Sequence, residues 1–559
     1  MNSILSDGGG VMQLPKKALT GAEIRVIVAS SVGTIFEFYD FFLIGLLATE
    51  MAAAFFSGLS PTAGYIFTLL GFAAGFVLRP FGAIVFGRLG DMVGRKYTFL
   101  VTIVIMGLGT FAVGLLPTYA SAGLIAPILF ITMRLLQGLA LGGEFSGAVI
   151  YVAEHSPNKS RGAWTSWIMM TAALGFIMAV AVIVPLRLSL GTESFKDWGW
   201  RIPYLLSIVL LGLSVWIRLS LSESPEFKRM KEKGTLSKAP IAEAFGQWKH
   251  LRLIIVALVG IVPGQAVVWY TSQFYTMFFL GKVLKVDDLT VNALVVVATL
   301  LSIPLYYFFG WASDRIGRKP VYLCGLVLAG VFFIPLFQLL AHYANPALER
   351  AIANAPIVVT ADLSDCQLQF NPTGTAKFTS SCDIVKSTLS RAGLNYETQS
   401  GPAGSLATVR IGSDVIAGYN GSAANAVAEG KAFSAALASA LAQHGYPKGN
   451  ADPAEINKPM VVLILLLLLT FGTMTFAPMS AMLVELFPSR IRFTAMSFPY
   501  HMGVAIFGGF LPAAAFAIVA ATGRIYSGLW YPVIVAAFSF VVVLIFAKER
   551  SGSDIYHEV

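Results

Sequence analysis

Long apolar stretches, rather than alternation, organise this chain. Runs of about 20 residues or more fall near 24–51, 63–87, 97–117, 121–151, 163–187, 202–221, 252–281, 288–312, 320–343, 459–486, 493–521 and 527–547. An α-helix rises about 1.5 Å per residue, so each run can cross a hydrocarbon layer about 30 Å thick. The period-2 alternation of a membrane barrel is absent. The pattern predicts an all-α membrane protein with twelve spans. The stretch 97–151 is divided at the turn-like Pro117-Thr118-Tyr119.

One polar interval interrupts the series. Residues 346–457 contain no span-length apolar run. They read as a small α+β domain. IVVTAD (357–362) looks like a strand. QLQF and AKFT flank Asn371-Pro372-Thr373-Gly374, a hairpin signal, and NYETQS and LATVRIG flank Gly401-Pro402, a second one. DIVKSTLSRAGL and the Ala-rich 422–443 read as helices. The expected order is a tail (1–23), a six-helix half (24–222), a connecting loop (223–251), spans 7–9 (252–345), the insertion (346–457), spans 10–12 (458–548) and a tail (549–559).

Charge then fixes orientation. Only 12% of the residues are charged and 56% are hydrophobic, too little charge to coat a soluble globule. The net +9 does not indicate nucleic acid, because the basic residues cluster in the short links. Links after even-numbered spans hold Arg88, Arg95, Lys96, Lys159, Arg161, Arg315, Arg318, Lys319, Arg490 and Arg492, and the long sixth link adds Arg218 and several lysines. Links after odd-numbered spans hold Lys196, Lys282, Lys285 and Arg524. The positive-inside rule therefore places both termini in the cytoplasm and the insertion in the periplasm, for a multi-pass protein of a bacterial inner membrane. The first twenty or so residues are polar and show no cleavage site. Cys366 and Cys382 bracket the first hairpin and, in an oxidising outer compartment, would pair as a disulfide. Two free thiols, with Cys382 packed at its helix start, is the other reading. Cys324 in span 9 is expected to be buried.

The two halves repeat. GRLGDMVGRK (87–96) follows span 2, and GWASDRIGRK (310–319) follows span 8. Glu154 with Arg161, and Glu485 with Arg490 and Arg492, follow spans 4 and 10. From Asp91 to Glu154 is 63 positions and from Asp314 to Glu485 is 171, so the internal repeat also locates an insertion, of about 108 residues. Gly87 and Gly94 permit a tight turn. Asp91 and Asp314 can meet the positive end of a neighbouring helix, with Arg95 and Arg318 answering nearby carboxylates. Such a cluster can latch one face shut. Charge that merely sets topology explains the lysines better than the paired aspartates.

These loops resemble the signature of the major facilitator superfamily. GTIFEFYDFFLIG (33–45), LRPFGAIVFGRLGD (78–91), RLLQGLALGGEFSGA (134–148), WGWRIPYLLS and SESPEF narrow the resemblance to the metabolite:H+ symporter family. The likeness covers nearly all of 20–345 and 458–548. It implies two pseudo-symmetric six-helix halves and carriage of organic acids, betaines or related osmolytes with protons. A large outer loop between spans 9 and 10 is similar to the branch of haloacid and short-chain organic-acid permeases.

Ionisable residues inside spans are costly and mark substrate or ion paths. Glu37 and Asp40 lie near the midplane of span 1, three positions apart and so on one side. Arg134 lies at similar depth in span 4, with Gln137 and Glu144 on its face, and Arg79 sits in span 2. A carboxylate substrate needs a fixed cation, for which Arg134, with Gln137 beside it, is the first candidate. Asp40, then Glu37, are the proton-coupling candidates. A permanent pair of Arg134 with Asp40 or Glu144 that only orients helices is the bland alternative. Glu144 is assigned with the latch residues Gly87, Asp91, Gly94, Arg95, Glu154, Arg161, Asp314, Arg318 and Glu485. Gln265, Trp269 and Gln273 form one stripe of span 7, and with Tyr270 they could wall a cavity. Tyr306 and Tyr307 follow in span 8. His501 beside Pro499 is a candidate relay.

The expected function is import of a short monocarboxylate, such as acetate or a haloacetate, with a proton. The runner-up is a betaine- or proline-type osmolyte. A membrane sensor with an outer ligand-binding domain is the rival of another class. No P-loop or nucleophile–base set supports an enzyme. The expected partners are the solute, H+ and lipid. The chain is expected to work as a monomer, with no nucleic acid, cofactor or metal, and the insertion leaves room for a periplasmic partner.

Overall fold

A computed structural model describes residues 21–58, 71, 74–220, 223–366 and 378–553. Among these, ten helices are long and apolar enough to cross a membrane, and the first span, bent by 66° between Leu46 and Ala48, makes eleven. Span 1 is Gly21–Leu46 with Ala48–Phe55, span 3 Arg95–Leu115, span 4 Ile125–His155, span 5 Arg161–Leu190 and span 6 Arg201–Leu219. Span 7 is Trp248–Val283, span 8 Asp288–Ile316, span 9 Arg318–Ala344, span 10 Lys458–Leu486, span 11 Arg492–Val519 and span 12 Trp530–Phe546. The helix Arg79–Met92 stands where span 2 is expected, and much of 59–73 lies outside the described residues. The division at residues 117–119 falls in the link between spans 3 and 4.

The halves meet along two seams, span 5 against span 8 and span 2 against span 11. Each half closes its own bundle by the same device at the end carrying the repeated loops. Gly94 (φ 135°) and Gly317 (φ 112°) adopt a backbone that L side chains rarely reach, and each turns the chain into the next span. An acidic side chain then caps that span. Glu223 accepts from the amides of Arg95 and Lys96 at 3.2 Å, and Glu549 accepts from the amide of Lys319 at 2.8 Å. A negative charge at a helix N-terminus contributes about 1 kcal/mol. Lys96 and Lys319 donate to the last carbonyls of spans 6 and 12, at Leu219 and at Leu544 and Ala547. The bulk of both repeats is thus explained by local charge and turn chemistry.

The insertion holds a four-stranded sheet of order β2-β1-β3-β4: β1 Ile357–Ala361, β2 Tyr396–Ser400, β3 Thr408–Ile411 and β4 Asp414–Ala417. β2 runs parallel to β1, while β3 is antiparallel to both β1 and β4. The helices Ser381–Arg391 and Ala426–Gln443 stand where sequence places them. The hairpin expected across Gly401-Pro402 does not form. A parallel neighbour needs a crossover, which the helix Ser381–Arg391 supplies, and so β2 joins β1 instead of β3. The hairpin present is β3–β4, turning at Gly412 (φ 56°). The other expected hairpin, at 367–377, lies outside the described residues. Cys366 and Cys382 form a disulfide. Cys324 is exposed on span 9 rather than buried, because its helix face points away from the bundle.

The insertion leaves and rejoins the bundle at one point, where the amide of Asn457 donates to the carbonyl of Tyr343 at 2.9 Å. It rests on the ends of spans 7 and 11. Asn345 Nδ2 donates to Leu284 O and the Ala451 amide to Lys285 O. The Tyr396 amide donates to Gly523 O at 2.8 Å, Lys386 Nζ to Ala521 O, and the Ile525 amide to Asn395 Oδ1.

Candidate functional site

At the end opposite the insertion, charges cross between the halves. Asp91 accepts from the amides of Phe493 (3.2 Å) and Thr494 (2.9 Å) at the start of span 11, and from the Thr494 hydroxyl. Asp314 accepts from the amides of Gly162 and Ala163 at the start of span 5, both at 2.8 Å. Each aspartate therefore caps a helix of the other half. Arg95 pairs with Glu154, which also takes Arg492 at 3.0 Å. Arg318 binds Glu485 at 3.0 Å and Asp314 at 2.5 Å, and Arg161 binds Glu485 at 2.8 Å. Gly87 gives Thr494 room, since a Cβ there would sit 2.9 Å from its Cα. Sequence reading brought these residues together but missed Glu223 and Glu549, whose equivalent positions after spans 6 and 12 were the available signal.

Glu144 does not join that cluster. It faces the interior of the first half and binds Arg218 at 2.9 Å. Its carboxyl is fully buried, so it needs a cation within its own bundle. Arg218 itself belongs to span 6, not to the following loop, and lies over the Phe99 ring at 3.5 Å from its centroid.

A cavity lies where the halves face each other. It is lined by Glu37, Phe38, Phe41, Arg79, Leu141, Phe145, Gln265, Trp269, Tyr270, Phe476, Tyr500, His501 and Val504. Arg79 stacks on Phe76 at 4.1 Å and lies 5.3 Å from Phe41. Phe145 stacks on Tyr500 with centroids 4.3 Å apart, and Trp269 lies 5.5 Å from Phe476 and donates to the Tyr306 hydroxyl. Toward the insertion end, Phe41 and Phe42 meet Phe274, and Phe76 meets Tyr270. Glu37 Oε2, Gln265 Oε1 and both ring nitrogens of His501 are buried with no hydrogen-bond partner among the described residues. Such atoms are costly to bury unpaired, so they are available to a polar solute.

Arg134, the first sequence candidate for a carboxylate, does not line this cavity. It lies inside the first half and donates to Gln137 at 2.7 Å, which in turn donates to Thr110. Asp40 is also set back. With Glu37 it lines a second, smaller cavity bounded by Ser207 and Ser214. Glu37 alone of the two touches both cavities. Gln273 is buried but outside the cavity lining, since the π-helical turn Thr271–Tyr275 rotates it off the Gln265–Trp269 face. Tyr307 is exposed on the outer face of span 8.

Comparison with known proteins gives the same architecture. Residues 26–244 match the family model "Sugar (and other) transporter", and 145–363 match "MFS/sugar transport protein". A putative proline/betaine transporter of Staphylococcus haemolyticus is 35% identical over 327 residues, covering 58% of this chain and 68% of that protein. The shikimate transporter of Escherichia coli is 31% identical, covering 56% and 72%. The chain belongs to the major facilitator superfamily. The proline/betaine transporter of Salmonella typhimurium is 33% identical over 56% of this chain, and the match spans 64% of that relative's length. Among solved structures, the proton:xylose symporter XylE bound to 6-bromo-6-deoxy-D-glucose superposes with a TM-score of 0.61 over 96% of this chain and 98% of its own, at 12% identity. That likeness speaks for the fold alone.

Proposed function

We propose that the protein is a proton-coupled symporter that carries a small zwitterion, with one carboxylate and one quaternary or secondary ammonium, by alternating access between its halves. The observation that carries this reading is the cavity, which joins one guanidinium, one carboxyl and a wall of aromatic rings. Arg79 offers a fork for the carboxylate. Trp269, Tyr270, Phe145 and Tyr500 offer ring faces to a desolvated cation. Glu37 takes the proton, with Asp40 behind it in the second cavity. Several relatives are named as proline/betaine transporters, which favours this osmolyte reading over the short monocarboxylate first expected from sequence. A carboxylate solute is the second reading, supported by Arg79 and by the shikimate relative.

The cross-half aspartates and their ion pairs form the latch that closes the cytoplasmic face. The insertion lies in the periplasm, a reading supported by the basic links at the opposite end and by the Cys366–Cys382 disulfide.

Uptake into proteoliposomes, with the pH gradient and the potential imposed separately, tests the substrate. A neutral zwitterion moving with one proton carries a unit charge, worth about 2.3 kcal/mol per 100 mV, and responds to potential. A monocarboxylate moving with one proton is electroneutral and does not. Betaine or proline uptake driven by potential is the expected result. Uptake of acetate-type acids alone, driven only by the pH gradient, would replace this reading with the second.

A further inference from the structure

Arg218 and Glu144 form an ion pair that the transport cycle outlined above leaves without a task. The pair sits inside the first half, away from the cross-half latch. Each partner keeps a spare polar atom: Arg218 Nε and Glu144 Oε2 are buried with no hydrogen-bond partner among the described residues. The guanidinium also donates to the Phe99 carbonyl at 3.0 Å.

Span 1 is shaped around this guanidinium. A Cβ at position 33 would run into Arg218 Nη2, so only glycine leaves the seat open. Glu37 stands four residues further along the same helix, hence on the same face and about 6 Å higher. Arg218 therefore lies between two carboxyls, bonded to Glu144 of span 4 and within electrostatic reach of Glu37 of span 1. The other charged or titratable groups facing Glu37 are Arg79 from span 2, Tyr270 from span 7, Tyr500 and His501 from span 11, and Asp40 on its own helix.

We propose that Arg218 is a counter-ion shared between Glu144 and Glu37, and that Glu144, by holding it, sets how readily Glu37 gives up its proton. The inference rests on Glu37 being the proton site. With Glu37 protonated, Arg218 serves Glu144, and that pairing is the one the structure contains. When Glu37 releases its proton to water in the cavity, the guanidinium is shared with the new carboxylate, and no charge is left alone in the bundle. Arg218 and Glu144 are positioning residues, since neither lines the cavity.

Infrared titration of the purified full chain in lipid nanodiscs tests this without any transported solute. The protonated-carboxyl band of Glu37 is assigned by its loss in Glu37→Gln. In Glu144→Gln the repelling Glu144 charge is lost and the whole guanidinium is offered to Glu37, so the band's titration midpoint should fall by at least one pH unit. In Glu144→Gln/Arg218→Met both charges leave together, and the midpoint should return to near the wild-type value. Should the single variant not fold, Gly33→Ala asks the same question: its methyl displaces the guanidinium from the face below Glu37, and the midpoint should rise. An unmoved midpoint in Glu144→Gln, or in Gly33→Ala where the first cannot be made, overturns the proposal. So does a double variant that behaves like the single one. If the midpoints shift as expected but no proline, betaine or acid is carried by the wild type, the shared counter-ion stands and the substrate reading falls.

Discussion

The two halves share a scaffold but not a chemistry. Away from the latch cluster, the carboxyls and guanidiniums inside the bundle belong to the first half among the described residues: Glu37, Asp40, Glu50, Arg134, Glu144 and Arg218 are buried and Arg79 half-buried, while the second half adds His501 to the cavity. The second half brings rings and irregular helix. Span 7 contains π-helical turns at Ala257–Ile261, Thr271–Tyr275 and Phe279–Val283, and span 11 has one at Val504–Gly509. A π-turn accommodates an extra residue, breaks the 3.6 repeat and is found often at functional sites. One half therefore holds most of the charge, while the other adds Trp269, Tyr270, Phe476 and Tyr500 to the wall and carries most of the π-helical turns among the described residues. The difference teaches that internal symmetry preserves the hinge hardware, and that the working residues are divided by type.

The sharpest way to break this comparison is to move the proton chemistry out of the first half. Glu37→Gln should abolish accumulation against a gradient, while exchange of labelled for unlabelled solute survives. Accumulation at wild-type level in proteoliposomes would shift the proton site to Asp40 or to His501 across the seam.

Arg79 comes next. Arg79→Ala should weaken solute binding by roughly a hundredfold, about 3 kcal/mol for a lost charge-assisted contact. Arg134→Ala, one layer behind the cavity, should weaken it far less. Calorimetry on both variants decides between them, and the reverse order would return Arg134 to the substrate.

The latch offers a matched pair. Asp91→Asn and Asp314→Asn should each shift the equilibrium away from the closed latch by about 1–2 kcal/mol, roughly tenfold, because each removes the charge from a cross-half cap. Lys96→Gln should stay within about twofold, since Lys96 reaches only an exposed carbonyl of its own half. Accessibility of a cysteine placed at Ser166, buried against Gly310 across the seam, to a thiol reagent reports the opening. Equal labelling in Asp91→Asn and Lys96→Gln would remove the aspartates from the gate.

The smallest effect is expected at Gln273. Its amide lies off the cavity, so Gln273→Ala should change binding by less than about twofold, whereas Trp269→Ala, on the cavity wall, should cost roughly tenfold. Similar losses at both positions would show that the π-turn at Thr271–Tyr275 does not persist in the loaded state.

What sequence revealed, and what it hid, follows from the range of the forces involved. Spans are legible because apolar length is a local property, and the repeated loops because a positive-φ glycine, a capping aspartate and an arginine must stand at fixed spacings. Depth along a helix was also legible, which placed Glu37, Asp40, Arg79 and Arg134 well inside their apolar runs. Rotation about the helix axis relative to the other half was not. Arg79 reaches the seam while Arg134 turns inward to Gln137. Arg218 looked like a loop charge because it falls near the end of its apolar run. Its burial depends on the missing side chain at Gly33, a contact 185 positions away. Strand pairing in the insertion was hidden for the same reason, since nothing local tells Tyr396–Ser400 to lie parallel to Ile357–Ala361.

The single hydrogen bond between Tyr343 and Asn457 has a practical consequence. Two chain ends held that close form a socket. More than a hundred residues hang from it, yet the spans on either side are already joined at its base, so closing the loop there costs little whatever its length. Another compact domain with adjacent termini, a fluorescent reporter or an affinity tag, can be grafted between residues 345 and 457 without restringing the bundle. The same geometry makes this link a tolerant point at which chains of this architecture can acquire or shed whole domains.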